Sequence, residues 1–463
     1  MRKYRVVAAV LLLAGFILVS PAQTWTVEQV TDNTEPDIDP FVTVVSSGLM
    51  IIYGHDDGDG EVFTANNFSG SWTSARITDN SREDSGIDIA AVYDEQNAHI
   101  TLAWQDTPDM EISYCSGSPG SWNIERVTDD AEPDAWPSLA IDKDGHIHMA
   151  YHKATGGDVE VFYANNVTGS WVSEQVTDNG TDDGVPWIAL DSEDNPNIVY
   201  TDIANLWYTR KTAGIWTTPE NVAPGVIFGL SFPFLVIDGD DDCHVSYAKD
   251  DGTDFEIYYA NNVTGSWQEA KVTSNDYIDG FPTLVIDPYK KAHIAYLAAE
   301  GMDTEMFYAT NSSGVWSSGR VTDNSIHDIA MYGRYFAVCA GRIGHIFYYN
   351  DSDGDLEIYH AYSNTPLFAA VEETEPVVSQ VSINVDFKTT VRYSVPDAGH
   401  VSLKVYDASG SLVKTLVDGS RQPGEYKVTW NGETDAGVHA APGVYFYHIV
   451  AAGQNASVKG VLK

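Results

Sequence analysis

The sequence predicts an all-β chain, a seven-bladed β-propeller followed by a small β-sandwich. A tryptophan recurs at Trp25, Trp72, Trp122, Trp171, Trp216, Trp267 and Trp316, in steps of 45 to 51 residues. Whole passages recur with it: "DVEVFYANNVTGSWVSEQVTDN", from Asp158, returns as "DFEIYYANNVTGSWQEAKVTSN", from Asp254. Short apolar and aromatic runs alternate with Gly/Asn/Asp turns, and a repeat of this length holding four such runs reads as one propeller blade.

The first element is expected to be a secretory signal peptide over residues 1–22. Arg2, Lys3 and Arg5 precede an apolar run from Val6 to Ser20, and the small residues Ser20 and Ala22 are placed for cleavage before Gln23. That run falls short of the roughly 20 apolar residues that span a bilayer, and no later segment reaches them. The expectation is a secreted or cell-surface protein without a transmembrane segment.

The propeller occupies residues 23–366. In one repeat, "PSLAID" (Pro137 to Asp142) is the inner strand and "HIHMAYH" (His146 to His152) the second. "VEVFYANN" (Val159 to Asn166) is the third and "WVSEQVTD" (Trp171 to Asp178) the outer one. The intervening "KDG", "KATGGD" and "VTGS" carry hairpin-turn chemistry. Inner strands are apolar on both faces, as a blade sandwiched between two others requires. The chain opens with an outer strand that has no blade before it, "WTVEQVTD", and its last repeat stops after the third strand, "LEIYHAYSN". The two fragments complete one blade, with Trp25 to Asp32 pairing the region Leu356 to Tyr362, and this closure removes an exposed sheet edge. The D-x-E-[IV]-x-Y rhythm resembles the repeats of secreted bacterial propellers of the sialidase-like, BNR-like group, although no true Asp-box is present. That group includes enzymes, lectins and scaffolds, so the likeness implies a fold more than an activity.

Residues 367–380, "LFAAVEETEPVVSQ", read as a linker. Residues 381–463 alternate strands with turns such as Ser409-Gly410 and Asn431-Gly432. Val405-Tyr406-Asp407, Gly424, Trp430-Asn431-Gly432, Gly437 and Pro442-Gly443-Val444-Tyr445 resemble the FlgD-like immunoglobulin-like module and type IX secretion sorting domains. The resemblance implies an Ig-like domain that engages export or anchoring machinery. An Asn-Pro-Phe-type opening is replaced here by "NVDFKTTVRYSV" (Asn384 to Val395), which leaves a plain β-sandwich stalk as the other reading.

A formal charge of −42, from 67 acidic and 25 basic residues, excludes nucleic acid and anionic lipid as partners. It suits neutral or cationic ligands and divalent cations. Three cysteines, Cys115, Cys243 and Cys339, cannot all pair internally, and Cys115 reads as a small buried hydrophobe.

Two carboxylate patterns recur on one face of the disc. The "TDN-x3-D" segments give Asp37, Asp84, Asp134, Asp183, Asp279 and Asp328, and the "D-x-E" turns include Asp158/Glu160 and Asp254/Glu256. The densest clusters, Asp57, Asp59 and Glu61, and Asp351, Asp353, Asp355 and Glu357, are the candidate Ca²⁺ ligands. Their other reading is turn capping, which repeated placement favours over chemistry. His148, His244 and His293 each follow an aspartate by six residues, which points to an Asp–His bond across a hairpin. The fourth repeat breaks the acidic pattern, and Trp207, Ile227, Phe228 and Phe232 then form a candidate apolar ligand-binding notch. The function expected first is non-catalytic binding of a glycan or surface protein. The second is a carbohydrate-active enzyme, hydrolase or lyase, using acids of the propeller face.

Overall fold

The computed structural model describes residues 23–368 and 382–462, except 46–47, 59, 80–88, 94–97, 107–108, 119–120, 227–230, 302, 332, 353, 386–389, 397, 423, 436 and 452–453. The expected signal peptide and most of the expected linker lie outside these residues. The chain divides into two compact units, residues 1–368 and 369–463.

The first unit consists of seven antiparallel sheets in chain order. Blade 3 is representative, with strands Asp134–Ile141, Ile147–Thr155, Asp158–Asn165 and Val172–Gln175 from the inside outward. Blade 7 closes the ring. Its strands Phe336–Val338, Gly344–Asn350 and Glu357–Ser363 are completed by Trp25–Gln29, paired antiparallel from Trp25↔Ser363 to Gln29↔Tyr359. In blade 4 the outer strand is split into Ile215–Trp216 and Glu220–Pro224, both paired to Asn205–Thr212; Pro219 stands at the break, where it removes a ladder donor.

The recurring letters now have physical causes. Five outer-strand tryptophans pack edge-on against an aromatic of the preceding blade: Trp171 on Tyr114, Trp216 on Tyr163, Trp267 on Tyr208, Trp316 on Tyr259 and Trp25 on Tyr308, with ring centroids 5.2 to 5.5 Å apart. In two of these contacts the indole N–H also donates to a glutamate of that blade's outer strand, Trp171 to Glu125 and Trp216 to Glu174. The tryptophans therefore staple blade to blade by packing large apolar faces across the seam.

Histidines serve inside the blades. His148, His244 and His293 each place Nδ1 2.6 Å from a tyrosine hydroxyl (Tyr163, Tyr259, Tyr308) and Nε2 3.2 to 3.5 Å from Asp142, Asp238 and Asp287. The expected Asp–His bond is present, with a tyrosine as third member.

The second unit packs a sheet of Ser382–Val385, Thr390–Val395 and Gly424–Thr429 with one of Leu412–Arg421, Gly399–Asp407, Gly443–Ala451 and Gln454–Leu462. Its core holds Val391, Leu403, Trp430, Tyr447 and Ile449. The Trp430 indole donates to the Glu433 carbonyl at 2.8 Å, and Gly432 between them takes φ +79°, a left-handed conformation that favours glycine there.

Candidate functional site

The repeated acids are turned inward. Glu61, Glu111, Glu160, Glu256, Glu305 and Glu357 are buried. Five of them accept a backbone N–H from the following connection: Glu160 from Asn179 at 2.8 Å, Glu256 from Asn275 at 3.1 Å, Glu305 from Asn324 at 2.7 Å, Glu357 from Asn33 at 2.6 Å and Glu111 from Asp130 at 2.9 Å. The paired aspartates Asp37, Asp183, Asp279 and Asp328 are buried too, and each accepts from the side-chain amide of the same loop's asparagine. Burial pushes Asp183 up to about 6, and Asp134, Asp279 and Asp328 up to about 7. A face ringed with exposed carboxylate is therefore not what the repeat builds; these groups hold loops.

The candidate cation ligands follow the same logic. Glu61 is bonded at 2.5 Å by Arg76, whose guanidinium also lies 3.2 Å from Asp57, so an arginine already neutralises that cluster. Glu357 is committed to Asn33, while Asp351 and Asp355 sit at the turn above it. Asp59 and Asp353 lie outside the described residues. Among the described residues, ligand atoms converge at Asp142, Asp144 and His146 and at Asp251, Asp254 and Glu256. The second group is bridged by Lys271, 2.6 Å from Asp251 and 3.1 Å from Glu256.

The proposed notch is divided. Trp207 faces Tyr200 across its strand pair, the place held by Phe162 opposite Tyr151, Tyr258 opposite Tyr247 and Phe307 opposite Tyr296. It is thus an ordinary third-strand aromatic. It packs against the cluster of Tyr163, Ile188 and Tyr200, and its indole donates to Asp202 at 2.8 Å. Ile227 and Phe228 lie outside the described residues. Phe232 goes elsewhere, to the axis of the ring.

At the axis the inner strands share an irregularity. Their register shifts between Ile38 and Phe41, Ala135 and Ser138, Gly184 and Trp187, and Gly280 and Thr283. One residue at each break takes a positive φ: Asp39 (51°), Trp136 (55°), Val185 (51°) and Phe281 (53°), with Phe232 (33°) the counterpart in blade 5. A proline follows each (Pro40, Pro137, Pro186, Pro282 and Pro233), and a bulge suits proline because its position lacks a ladder partner. Left-handed backbone costs on the order of 1–3 kcal/mol at a non-glycine residue and gathers where a side chain must be aimed. Here it holds Asp39, Trp136, Val185, Phe232 and Phe281 at equivalent places of five inner strands. Trp136 of blade 3 meets Phe232 of blade 5 at 5.3 Å, and Phe232 stacks on Phe281 of blade 6 at 5.1 Å. Blades 3 and 5 are not adjacent, so these rings meet only by reaching past blade 4 toward the centre.

One polar ring flanks the aromatic cluster, and two further polar groups stand on the inner strands of blades 1 and 7. The His152 ring lies 6.4 Å from Trp136, and burial lowers its pKa to about 4, which keeps it neutral. Asp39, hydrogen-bonded by Tyr349, is raised by burial to about 6. In blade 7, counting back from the inner-strand ends Val338 and Ile286, Arg334 stands where blade 6 has Pro282. Arg334 lines an axial cavity of about 460 Å³ together with Val42, Val236, Leu284 and Phe336 from four inner strands. Its guanidinium lies 5.7 Å from the Phe234 ring, and burial lowers its pKa. Sequence reasoning missed this mouth because it began each inner strand at the proline. The available signal was the residue just before it, which varies while its neighbours repeat.

Residues 379–456 match the FlgD Ig-like domain. No curated protein matches the chain. Among solved structures, it is similar to an ulvan lyase from a polysaccharide lyase family, bound to a glucuronate and sulfated-rhamnose repeat: 10% identity over 72% of this chain and 95% of that one, TM-score 0.53. The same enzyme without ligand gives 10% identity over 71% and 94%, again with a TM-score of 0.53. An oligogalacturonate lyase from Vibrio parahaemolyticus gives 12% identity over 73% and 96%, with a TM-score of 0.49. Likeness at this identity establishes the propeller fold, and no helix among the described residues is long and apolar enough to cross a membrane. The chain is an all-β protein that joins a seven-bladed propeller to a C-terminal FlgD Ig-like domain.

Proposed function

We propose that the chain is a carbohydrate-active enzyme that cleaves a uronate-containing polysaccharide by β-elimination at the axial mouth. The observation that carries this is Arg334. The protein has 67 acidic residues to 25 basic ones, yet among the described residues no carboxylate pairs with this guanidinium, and burial alone accounts for its shifted pKa. A desolvated arginine with no carboxylate partner among the described residues calls for an external anion, and a planar carboxylate matches its fork. The Trp136, Phe232 and Phe281 rings supply the apolar platform on which a sugar face rests.

In the reaction, Arg334 holds the uronate carboxylate and withdraws charge from the adjacent C5. The neutral His152 imidazole takes the C5 proton, the C4–O bond breaks as the C4=C5 bond forms, and the Asp39 carboxyl, raised toward neutrality, protonates the leaving oxygen. Among the five left-handed positions Asp39 is the one acid, whereas a hydrolase needs two carboxylates flanking the bond. The likeness in fold to an ulvan lyase bound to a glucuronate-containing repeat supports this reading over simple binding. Export and display through the Ig-like domain fit it as well, because a polymer is cut outside the cell.

The purified chain is to be incubated with polyglucuronate-, polygalacturonate- and ulvan-type polymers while ultraviolet absorbance of the unsaturated product is followed. Absorbance should rise with at least one uronate polymer and not with neutral glucans. Arg334→Ala should reduce the rate by about 100-fold or more. New reducing ends without absorbance would mean hydrolysis; no cleavage of any uronate polymer would overturn the proposal.

A further inference from the structure

Blade 7 departs from its siblings at a second place. Where blades 3, 5 and 6 set an Asp–His–Tyr row between their inner three strands, blade 7 carries Cys339, His345 and His360. Cys339 Sγ lies 2.8 Å from His345 Nε2, and His345 Nδ1 lies 2.8 Å from His360 Nε2. His360 Nδ1 lies 2.9 Å from Glu28 Oε1 on the closing strand. The two imidazoles are buried, Cys339 is partly exposed, and Glu28 reaches solvent with 44% of its side chain accessible.

The carboxylate end sets the direction of every bond. Hydrogen bonding to His360 lowers the pKa of Glu28, so it accepts; His360 donates from Nδ1 and accepts at Nε2; His345 donates from Nδ1 and accepts at Nε2 from the thiol. Nucleophile, base and orienting acid thus stand in one continuous row, the arrangement that activates a thiol or hydroxyl. In the sibling blades the row ends on a tyrosine hydroxyl and starts on an aspartate, so neither a nucleophile nor an outlet for its proton exists.

We propose that Cys339 is a nucleophilic thiol whose proton leaves through His345 and His360 to Glu28, and that it takes small uncharged soft electrophiles. With an alkyl halide the sulfur electron pair forms the S–C bond, the carbon–halogen bond breaks and halide departs. The thiol proton moves to His345, the Nδ1 proton of His345 to His360, and that of His360 to the Glu28 carboxylate. No buried imidazolium persists, which matters because burial and the facing ring of His360 hold His345 down at about 3. The Trp72 indole also donates to Glu28, 2.9 Å away, and the Phe347 ring stacks on His360 at 4.5 Å, so the row is packed on both sides. Arg342, the nearest cation along the chain, turns its Nε to the Phe368 carbonyl.

The test is iodoacetamide labelling of the folded, full-length chain, with site occupancy read by peptide mass spectrometry over a pH series. Cys339 should be labelled while the buried Cys115 and Cys243 stay protected, and iodoacetate should react more slowly because Glu28 repels it. Exposure alone would give the first result, so Glu28→Gln decides: it can still accept a hydrogen bond but cannot take the proton. It should slow Cys339 labelling at least about tenfold at fixed pH. An unchanged rate in a Glu28→Gln protein of unchanged melting temperature, or a Cys339 that reacts only after unfolding, would overturn the relay. The readout is independent of any polysaccharide cleavage.

Discussion

Replacing Asp279 by asparagine should flatten the pH dependence of stability between about pH 4 and pH 7. Asp279 is fully buried on the inner strand of blade 6. It accepts from the neutral amide of Asn275 at 2.8 Å and has the buried carboxylate of Glu256 nearby. Burial raises its pKa to about 7, against roughly 3.9 in an unfolded chain. A folded pKa above the unfolded one means that folding takes up a proton within that window. The contribution is fully present below the unfolded value and is lost as pH rises through about 7. Three pKa units at about 1.4 kcal/mol each give a contribution on the order of 4 kcal/mol. Other groups oppose it: His152, lowered to about 4, costs stability as pH falls through its unfolded value near 6.5. The wild-type profile is therefore a sum, and the difference between wild type and Asp279→Asn isolates one member. Urea unfolding at half-unit steps from pH 4.5 to 7.5 measures that difference. It should shrink by several kcal/mol as pH rises; parallel curves would show that Asp279 ionises normally in the fold.

Deleting Trp25 to Thr31 should lower the melting temperature by well over 10 °C, because it removes the outer strand of blade 7 and the Trp25–Tyr308 contact; an unchanged value would refute the closure. Chelator should leave the melting temperature where it is, since Arg76 already balances Asp57 and Glu61; a drop on adding chelator would restore Ca²⁺ as a ligand of the acidic turns. Trp207→Ala should cost roughly 3–5 kcal/mol of stability, as a packed third-strand aromatic does, with no specific effect on sugar binding. Phe232→Ala should cost less, about 1–3 kcal/mol from two lost ring contacts, and should raise KM for the polysaccharide; calorimetry and steady-state kinetics separate the two residues.

The architecture was legible because a propeller repeats its frame. Seven tryptophans and an offset of one strand suffice to count blades and to place the closing strand, since both are consequences of stapling identical units edge to edge. The Asp–His hairpin bond was legible for the same reason. The acids were harder to read. In sequence Glu160 and Asp183 look like solvated turn residues, and only their backbone and amide donors explain why carboxylates can be buried in such numbers without cations. Trp207 stands out in sequence because blade 4 has lost its D-x-E turn. Without that landmark the tryptophan looks novel, and only its pairing with Tyr200 shows that it fills a position every sibling fills.

The axial mouth required one further inference that no periodicity supplies. A bulge inserts a residue into the inner strand, so the side chain aimed at the axis stands one place ahead of where strand alternation begins to read cleanly. At that place the repeats disagree: Asp39, Trp136, Val185, Phe232 and Phe281, while Arg334 takes the proline position in the seventh blade. Constancy in a repeat marks what every blade must do to pack against the next, and here it covers the tryptophans, histidines and buried acids alike. Chemistry has to be sought where equivalent positions differ and the backbone is nevertheless held in one uncommon conformation, because a costly conformation kept under changing side chains serves to aim those side chains. Blade 7 meets the first half of that criterion twice, differing from its siblings at Arg334 on the inner strand and at the row from Cys339 to Glu28. It is also the blade assembled from both ends of the propeller sequence, so an intact closing strand, which carries Glu28, is a precondition for the thiol row.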